Sequence, residues 1–239
     1  MANNYFKFKQ FTVNQDKTAM KVGTDGVLLG AWADCNGARK ILDIGTGTGL
    51  IALMMAQRYP DAEIIAIDID ESACDQAREN FLASPWSDRL TVVHSSLQNF
   101  VKSNAGEFDH IISNPPYFQN SLRSGDKSRD LARHTDSLSF EELFYCSNNL
   151  SSTRASLSII IPYAAEINVM TIKNNSSYNL FRKLHVQGDI NKQVVRSLLE
   201  FTKENVANCK EELLYIEKGK RHAYSEEYKA LTSDFYLAF

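Results

Sequence analysis

Two short segments of this 239-residue chain carry residue types and spacings suited to chemistry. The first is Asp43-Ile44-Gly45-Thr46-Gly47-Thr48-Gly49, which closes one apolar run and opens another. Glycine takes positive φ without steric penalty and lets the backbone approach a ligand closely, so such a strand–helix turn suits a nucleoside-bearing molecule. Alone it is weak evidence, because dinucleotide enzymes use a similar turn. Asp68 sharpens it. It ends the next apolar run 19 residues beyond Gly49, where a carboxylate can accept both hydroxyls of an adenosine ribose. Asp70 competes for that role, but it lies past the strand end, where it would cap a helix starting at Glu71. The second segment is Asn114-Pro115-Pro116-Tyr117. Two prolines fix their own φ angles and push the preceding residue into extended backbone, so Asn114 would be held rigidly. Plainer readings remain beside these: a tight turn without ligand, and an Asn-Pro turn ending a strand.

The pattern D-x-G-x-G-x-G with an acid ending the second strand resembles the class I S-adenosylmethionine-dependent methyltransferases. The NAD fingerprint instead spaces its glycines G-x-G-x-x-G. The resemblance implies S-adenosyl-L-methionine as cofactor, with Asp43 and Gly45 facing its methionine part, Asp68 at the ribose, Gly47 and Gly49 also binding it, and Asn114 beside the methyl donor. Many such enzymes place an acid after the third strand, near the cofactor adenine. Here Ser96 stands in its place, to bond an amino group or to cap the helix from Leu97. The NPPY tetrapeptide resembles the D/N-P-P-Y/F/W motif of methyltransferases acting on amino groups conjugated to a π system. An exocyclic adenine amine is a poor nucleophile because its lone pair is delocalised. If the Asn114 carboxamide and the Pro115 carbonyl accept its two N–H bonds, the lone pair is held toward the methyl group without a strong base. Tyr117 would stack the flipped-out base.

These residues need a scaffold, and the flanking pattern supplies one. Strand-like runs at 41–44, Glu63–Asp68, Leu90–His94, Phe108–Ser113 and 155–161 alternate with helical segments at Leu50–Arg58, 71–83, 97–102 and Phe140–Leu150. That alternation predicts a mainly parallel sheet with helices on both faces, and the resemblance implies the α/β, Rossmann-like class I methyltransferase fold, a mostly parallel seven-stranded sheet with an antiparallel edge. The edge is expected from runs at 181–186, 194–201 and 212–216, whose short connections favour antiparallel pairing. One domain spans 1–239, divided into an N-terminal extension (1–39), a catalytic core (40–202) and a C-terminal strand and tail (203–239).

Composition excludes several classes. With 44% hydrophobic residues the chain can bury a core, so wholesale disorder is out. The net charge of −3 means that any nucleic-acid contact must come from a local patch. The longest apolar run, residues 50–56, falls far short of the roughly 20 residues of a membrane helix, and the N-terminus lacks a secretory core. Cys35, Cys74, Cys146 and Cys209 are dispersed, without metal-ligand spacing, so they read as buried hydrophobes of a cytoplasmic protein and metal is not expected.

NPPY fits adenine N6 in DNA or RNA, or a protein glutamine amide. Residues 8–13 and 20–32, then 114–118 with Ala132-Arg133-His134, and finally 224–237 resemble the bacterial tRNA1(Val) adenine N6-methyltransferase family. That resemblance implies methylation of adenine-37, just 3′ of the anticodon, with the tRNA anticodon loop as partner and no obligate protein partner evident. It places Thr24 and Asp25 near the cofactor's methionine end, although Asp25 could equally cap a helix over 26–32. The loop leaving NPPY carries Arg123, Lys127, Arg129 and Arg133, with His134, which suits RNA phosphate. Lys7, Lys9, Lys17 and Lys21, interleaved with Phe6, Phe8 and Phe11, could also meet RNA, or form a strand pair over the core. The alternatives are a glutamine N5-methyltransferase acting on release factors, N6-adenine methylation of another RNA or DNA, and a cofactor-binding module without catalysis. The first normally carries an N-terminal helical substrate domain, for which the 39 residues before Lys40 leave little room.

Overall fold

A computed structural model of the chain describes residues 3–18, 20–116 and 138–239. Its central sheet grows from β3 (Lys40–Ile44), β4 (Glu63–Asp68), β5 (Leu90–His94), β6 (Phe108–Ser113), β7 (Ser151–Pro162), β8 (Asn179–Asp189), β9 (Val194–Thr202) and β10 (Lys210–Glu217). The helices are α1 (Thr24–Trp32), α2 (Leu50–Arg58), α3 (Glu71–Leu82), α4 (Leu97–Ser103), α5 (Phe140–Leu150), α6 (Glu166–Lys173) and α7 (Glu226–Thr232). Strand order is β10-β8-β9-β7-β6-β3-β4-β5, and β9 alone runs against the others.

The strands are buried on both faces, so successive residues feed two separate cores. Ile41, Ile64, Ile112, Ile160 and Leu198 pack with α1, α2 and α3, while Leu42, Ile44, Ile111, Ile159 and Leu199 pack with α5 and α6. This is why these strands read as continuous apolar runs, and why α2, with Leu50 through Ala56 all buried, is apolar all round.

The sheet has eight strands, one for each of the eight strand-like runs and one more than the seven of the expected fold, and its edge differs from the short-connection reading. β8 and β9 are antiparallel neighbours. β10 does reverse the direction of β9, but it passes β8 and pairs with it in parallel on the far side. The antiparallel strand therefore lies inside the sheet. Missing from the sequence reading were α6 and α7, whereas β1 (Tyr5–Lys7) and β2 (Thr12–Asn14) form an antiparallel pair. Of the two readings of the N-terminal aromatics, the strand pair over the core is the one observed. Phe8 and Phe11 are buried and stack at 4.7 Å, and Phe8 meets Tyr236 at 6.0 Å. Three of the four lysines there are engaged within the protein: Lys9 Nζ donates to Ser233 and Phe239 carbonyls at 2.6 Å, Lys17 pairs with Glu79 at 2.6 Å, and Lys21 donates to the Gln15 carbonyl. Cys35, Cys74 and Cys146 are buried as expected, whereas Cys209 lies half-buried in the β9–β10 connection.

A buried polar chain ties the sheet to α1. Glu200 Oε2, on β9, accepts from Arg182 at 2.8 Å, from Ser158 Oγ at 3.1 Å and from the Asp34 N–H at 3.2 Å. Arg182 also donates to the Trp32 carbonyl at 2.7 Å and lies 4.1 Å from the Trp32 ring. Removing one partner strands the others, which typically costs about 3–5 kcal/mol for a buried pair. Glu200→Ala should therefore destabilise the protein by roughly that amount, and Glu200→Leu combined with Arg182→Met by much less. Chemical denaturation of both variants decides it, and equal losses would contradict the account.

Candidate functional site

The parallel strands β3, β4, β5 and β6 end at one edge, and there a cavity of about 550 Å³ opens. Its floor is the glycine turn. Gly45, Gly47 and Gly49 have φ of 72°, 55° and 82°, the left-handed region that favours glycine. A Cβ on Gly45 or Gly47 would meet nothing within 4 Å, so the turn leaves open space on its cavity side. The Gly45 and Thr46 N–H groups donate to the Ile67 carbonyl at 2.9 and 3.1 Å, which stitches the turn to β4.

Two carboxylates hold this turn. Asp43 is fully buried beneath it, and its Oδ2 accepts from Thr46 Oγ1 at 2.6 Å and from the Ala52 N–H at 3.2 Å. Asp68 lines the cavity; Oδ2 accepts from the Gly47 N–H at 2.8 Å and Oδ1 from the Asp70 N–H at 3.0 Å. A carboxylate offers about four lone-pair positions, so two remain for a ligand's hydroxyls. Asp70 both caps α3, accepting from the Ser72 N–H at 2.9 Å, and lines the cavity. Ser96 likewise does both, capping α4 through the Asn99 N–H at 3.3 Å.

The far wall is Ser113, Asn114, Pro115 and Pro116, where β6 ends. Ser113 Oγ donates to the Ile44 carbonyl at 2.9 Å, which fixes the spacing between the NPP segment and the glycine turn. Glu142 of α5 closes one side. It accepts from Gln98 Nε2 at 2.9 Å and forms a capping box with Ser139, and the Gln98 bond in particular holds its carboxyl below the ordinary range.

The lining discriminates between ligand charges. Among its described residues are three acids, Asp68, Asp70 and Glu142, and no lysine or arginine. A dinucleotide pyrophosphate seeks free N–H groups at the turn, but Asp68 already occupies that of Gly47. The arrangement suits a ribose-bearing ligand with positive charge.

Comparison with known proteins agrees. The Methyltransferase small domain family model matches residues 21–135. A protein of Flavobacterium psychrophilum named tRNA1(Val) (adenine(37)-N6)-methyltransferase is 48% identical over 233 residues, covering 97% of this chain and 99% of its own. One of the same name from Bacteroides thetaiotaomicron is 50% identical over 240 residues, covering 99% of each. This chain belongs to the tRNA1(Val) (adenine(37)-N6)-methyltransferase family. Among solved structures, a predicted O-methyltransferase of Agrobacterium tumefaciens shares the fold with a TM-score of 0.69 at 20% identity, covering 88% of this chain and 96% of its own. Pyrococcus horikoshii TYW2 in complex with MeSAdo has a TM-score of 0.58 at 14% identity, covering 83% of this chain and 70% of its own.

Within this methyltransferase fold the expected site residues fall into three groups. Gly45, Gly47, Asp68, Ser96, Asn114 and Pro115 come together around the cavity. Asp43, Gly49 and Thr24 are not among its lining residues. Asp43 acts from below the turn. Gly49 starts α2, where a Cβ would lie 2.5 Å from Phe81, so its glycine serves packing against α3. Thr24 is exposed at the start of α1, whose cap is Gly23; Asp25, rather than capping, pairs with Arg196 of β9 at 2.8 Å. Tyr117, Arg123, Lys127, Arg129, Arg133 and His134 lie outside the described residues.

Sequence reasoning missed Thr18, Met20, Ile69, Gln98, Ser113 and Glu142, which also line the cavity. The N-terminal segment reaches it through α3. Asn80 donates to the carbonyls of Asn14 at 2.9 Å and Thr48 at 2.8 Å, and Gln76 accepts from the Lys17 N–H at 2.9 Å. The legible signal was two amides four residues apart on the apolar side of α3.

Burial pushes the Asp43 carboxyl up to about 7, against the bonds from Thr46 and Ala52 that favour its ionised form. Its Oδ1 is buried without a partner. Between the ordinary 3.8 and about 7 the native state keeps a proton the unfolded chain has lost. Stability therefore falls as pH rises through that window, and this contribution levels off above it. Asp43→Asn, which cannot ionise, should show a flatter decline in melting temperature between pH 5 and 8. Parallel profiles for variant and wild type would remove Asp43 as the source.

Proposed function

We propose that this chain transfers the methyl group of S-adenosyl-L-methionine to N6 of adenine-37 in tRNA1(Val). The observation that carries the reading is that Asp68 and Asn114, distant in sequence, line one cavity in a chain 48–50% identical to its named relatives over nearly its full length. The residues fit the cofactor. Gly45 and Gly47 leave room along the backbone, Asp68 has acceptor capacity for a ribose, and the apolar side chains of Ile69 and Leu97 flank the space where an adenine would lie. When bound, the cofactor supplies an electrophilic methyl on a sulfonium, whose positive charge suits the acidic lining.

The chain's own part is to place the acceptor. Asn114 and the Pro115 carbonyl take the two N–H bonds of the adenine amine, and Tyr117 stacks its ring. The loop residues Arg123, Lys127, Arg129, Arg133 and His134 meet the RNA around it. On this reading residues 1–239 form one cytoplasmic methyltransferase domain, with an extension at 1–39, a core at 40–202 and a C-terminal strand and tail at 203–239. Among the described residues no helix is long and apolar enough to cross a membrane, and no cluster of three or more His, Cys, Asp or Glu could hold a metal ion.

The deciding experiment is methyl transfer from labelled cofactor to a tRNA1(Val) transcript, to the same transcript with guanine at position 37, to a release factor and to duplex DNA. Nucleoside mass spectrometry should find N6-methyladenosine in the first only; labelling of the release factor instead would overturn the assignment. Two substitutions then separate binding from chemistry. Asp68→Ala should weaken cofactor binding in calorimetry by about 1.5–3 kcal/mol, since it removes an ionised acceptor. Asn114→Ala should bind cofactor nearly as wild type yet turn over roughly 10²-fold more slowly or worse, as for other lost transition-state contacts. Loss of cofactor with turnover retained at saturation would refute the role of Asn114.

A further inference from the structure

The same sheet edge that carries Asn114 continues away from the cavity, and its far end is basic. Along the strand order the carboxyl ends of β6, β7, β8 and β10 and the start of the reversed β9 form one rim. At its outer end two loops meet, the β8–β9 turn at 190–193 and the β10–α7 loop at 218–225. They carry Lys192, Lys218, Lys220 and Arg221. Lys218 is engaged with Glu226 at 3.1 Å. Lys220 and Arg221 are exposed at the loop's tip, Lys192 is exposed in the neighbouring turn, and none of these three forms an ion pair among the described residues.

Of the acids nearby, Glu226 is held by Lys218 and Lys229, and two others are tied to backbone. Asp189 accepts from the N–H groups of Asn191 at 2.9 Å and Gly219 at 2.7 Å, and so joins the two loops, while Glu217 accepts from the His222 N–H at 2.7 Å. Further bonds from the Ile190 N–H to the Glu217 carbonyl at 3.1 Å and from the Lys218 N–H to the Ala223 carbonyl at 2.8 Å complete a rigid knuckle. His222 stands in left-handed backbone, φ 65°, to make this turn, a conformation that a non-glycine residue keeps only when its surroundings enforce it. The loops thus use their acids internally and present cations outward, preorganised.

From this placement we infer that the knuckle formed by Lys192, Lys220 and Arg221 is a second RNA-contact surface, binding phosphates of the substrate at a distance from the methylated base. The inference rests on the tRNA reading above. Four strand spacings separate β6 from β10, about 19 Å at roughly 4.8 Å each. At about 3.4 Å per stacked nucleotide of one strand, that is some six nucleotides from the flipped adenine. The knuckle therefore meets backbone beyond the immediate neighbours of the target base. Phosphate contacts fix position and affinity and carry no sequence information directly, so the surface would grip the body of the substrate and leave the choice of base to the cavity.

The test is a triple charge reversal, Lys192→Glu with Lys220→Glu and Arg221→Glu. Its control makes the same charge change at the opposite, amino end of the sheet: Arg154→Glu, Lys173→Glu and Lys210→Glu. Binding to full-length tRNA1(Val) is measured across a salt series, with cofactor affinity as the check of folding. The knuckle variant should lose about tenfold or more in affinity at low salt, and its log–log salt slope should be shallower by about two to three, one counterion set per lost contact. The control should bind like wild type. On a five-nucleotide RNA centred on the target adenine, too short to span the rim, knuckle variant and wild type should bind alike. Equal affinities and slopes on full-length tRNA would overturn the inference, and so would equal losses in the control or an equal loss on the short RNA. If the wild type itself neither binds nor methylates tRNA, it is the tRNA reading that fails.

Discussion

In a parallel sheet every strand delivers its following loop to the same edge, and the site of this protein depends on that constraint. Ile44 lies beside Ile67 on one side and Ser113 on the other, and Asp68 lies beside His94. The residues that follow in each chain segment, the glycine turn, Ile69, Ser95 and Asn114, therefore emerge in one row. No contact between them is needed to bring them together; the ladder register does it. The reversed strand β9 then carries the same edge outward, because its beginning, not its end, falls there. One edge thus holds the cavity and the distant basic knuckle alike.

Holding a turn of three left-handed glycines open at the end of such a strand is costly in conformational freedom, and the structure offsets this with buried polar contacts on each side. Asp43 grips the turn from below and Asp68 from beside it, while Asn80 accepts and donates between the turn and the N-terminal segment. The cost of this arrangement shows at Asp43, which sits fully buried with one oxygen unpartnered and its carboxyl pushed up to about 7. A buried acid in this state stabilises little by itself. What it does hold is Thr46 and the first turn of α2, on either side of the Gly47 N–H that donates to Asp68.

Much of this was legible in the sequence because the signals were local. Alternating apolar runs marked the doubly covered strands, the glycines marked the turn, and two prolines marked a rigid strand end. What was not legible depended on pairing across long separations. β10 reverses after β9 as its short connection requires, yet which neighbour it chooses is settled by the open side of β8, about which local sequence says nothing. The charges at the N-terminus left two readings open for the same reason. Lys9 and Lys17 look like an RNA-binding run, but their partners are carbonyls near the C-terminus and Glu79 of α3, found only once the chain has folded. Asp43 and Asp68 both lie near strand ends, but Asp43 pairs with Ala66, two residues before Asp68, and that register buries one carboxylate beneath the turn and leaves the other lining the cavity.

The acidic lining raises a question that the proposed chemistry must answer. Carboxylates at Asp68, Asp70 and Glu142 favour a cation in the cavity, but methyl transfer moves positive charge from sulfur to nitrogen without creating any. A field felt equally before and after the transfer stabilises ground state and transition state alike, so it tightens cofactor binding with little effect on turnover. Rate enhancement has to come from a group that senses the acceptor nitrogen alone. A neutral amide held by two prolines meets that requirement. On the proposed reading, as the nitrogen gains positive charge its N–H groups become stronger donors, and bonds to Asn114 and the Pro115 carbonyl would strengthen most in the transition state. An aspartate in that position would accept the same bonds but would add a fourth carboxylate to a cavity that already has three, raising the cost of desolvating them together. Asparagine supplies the differential contact without that charge, which is why the proposed role separates cleanly in kinetics: the acids act on KM for the cofactor, and Asn114 acts on kcat.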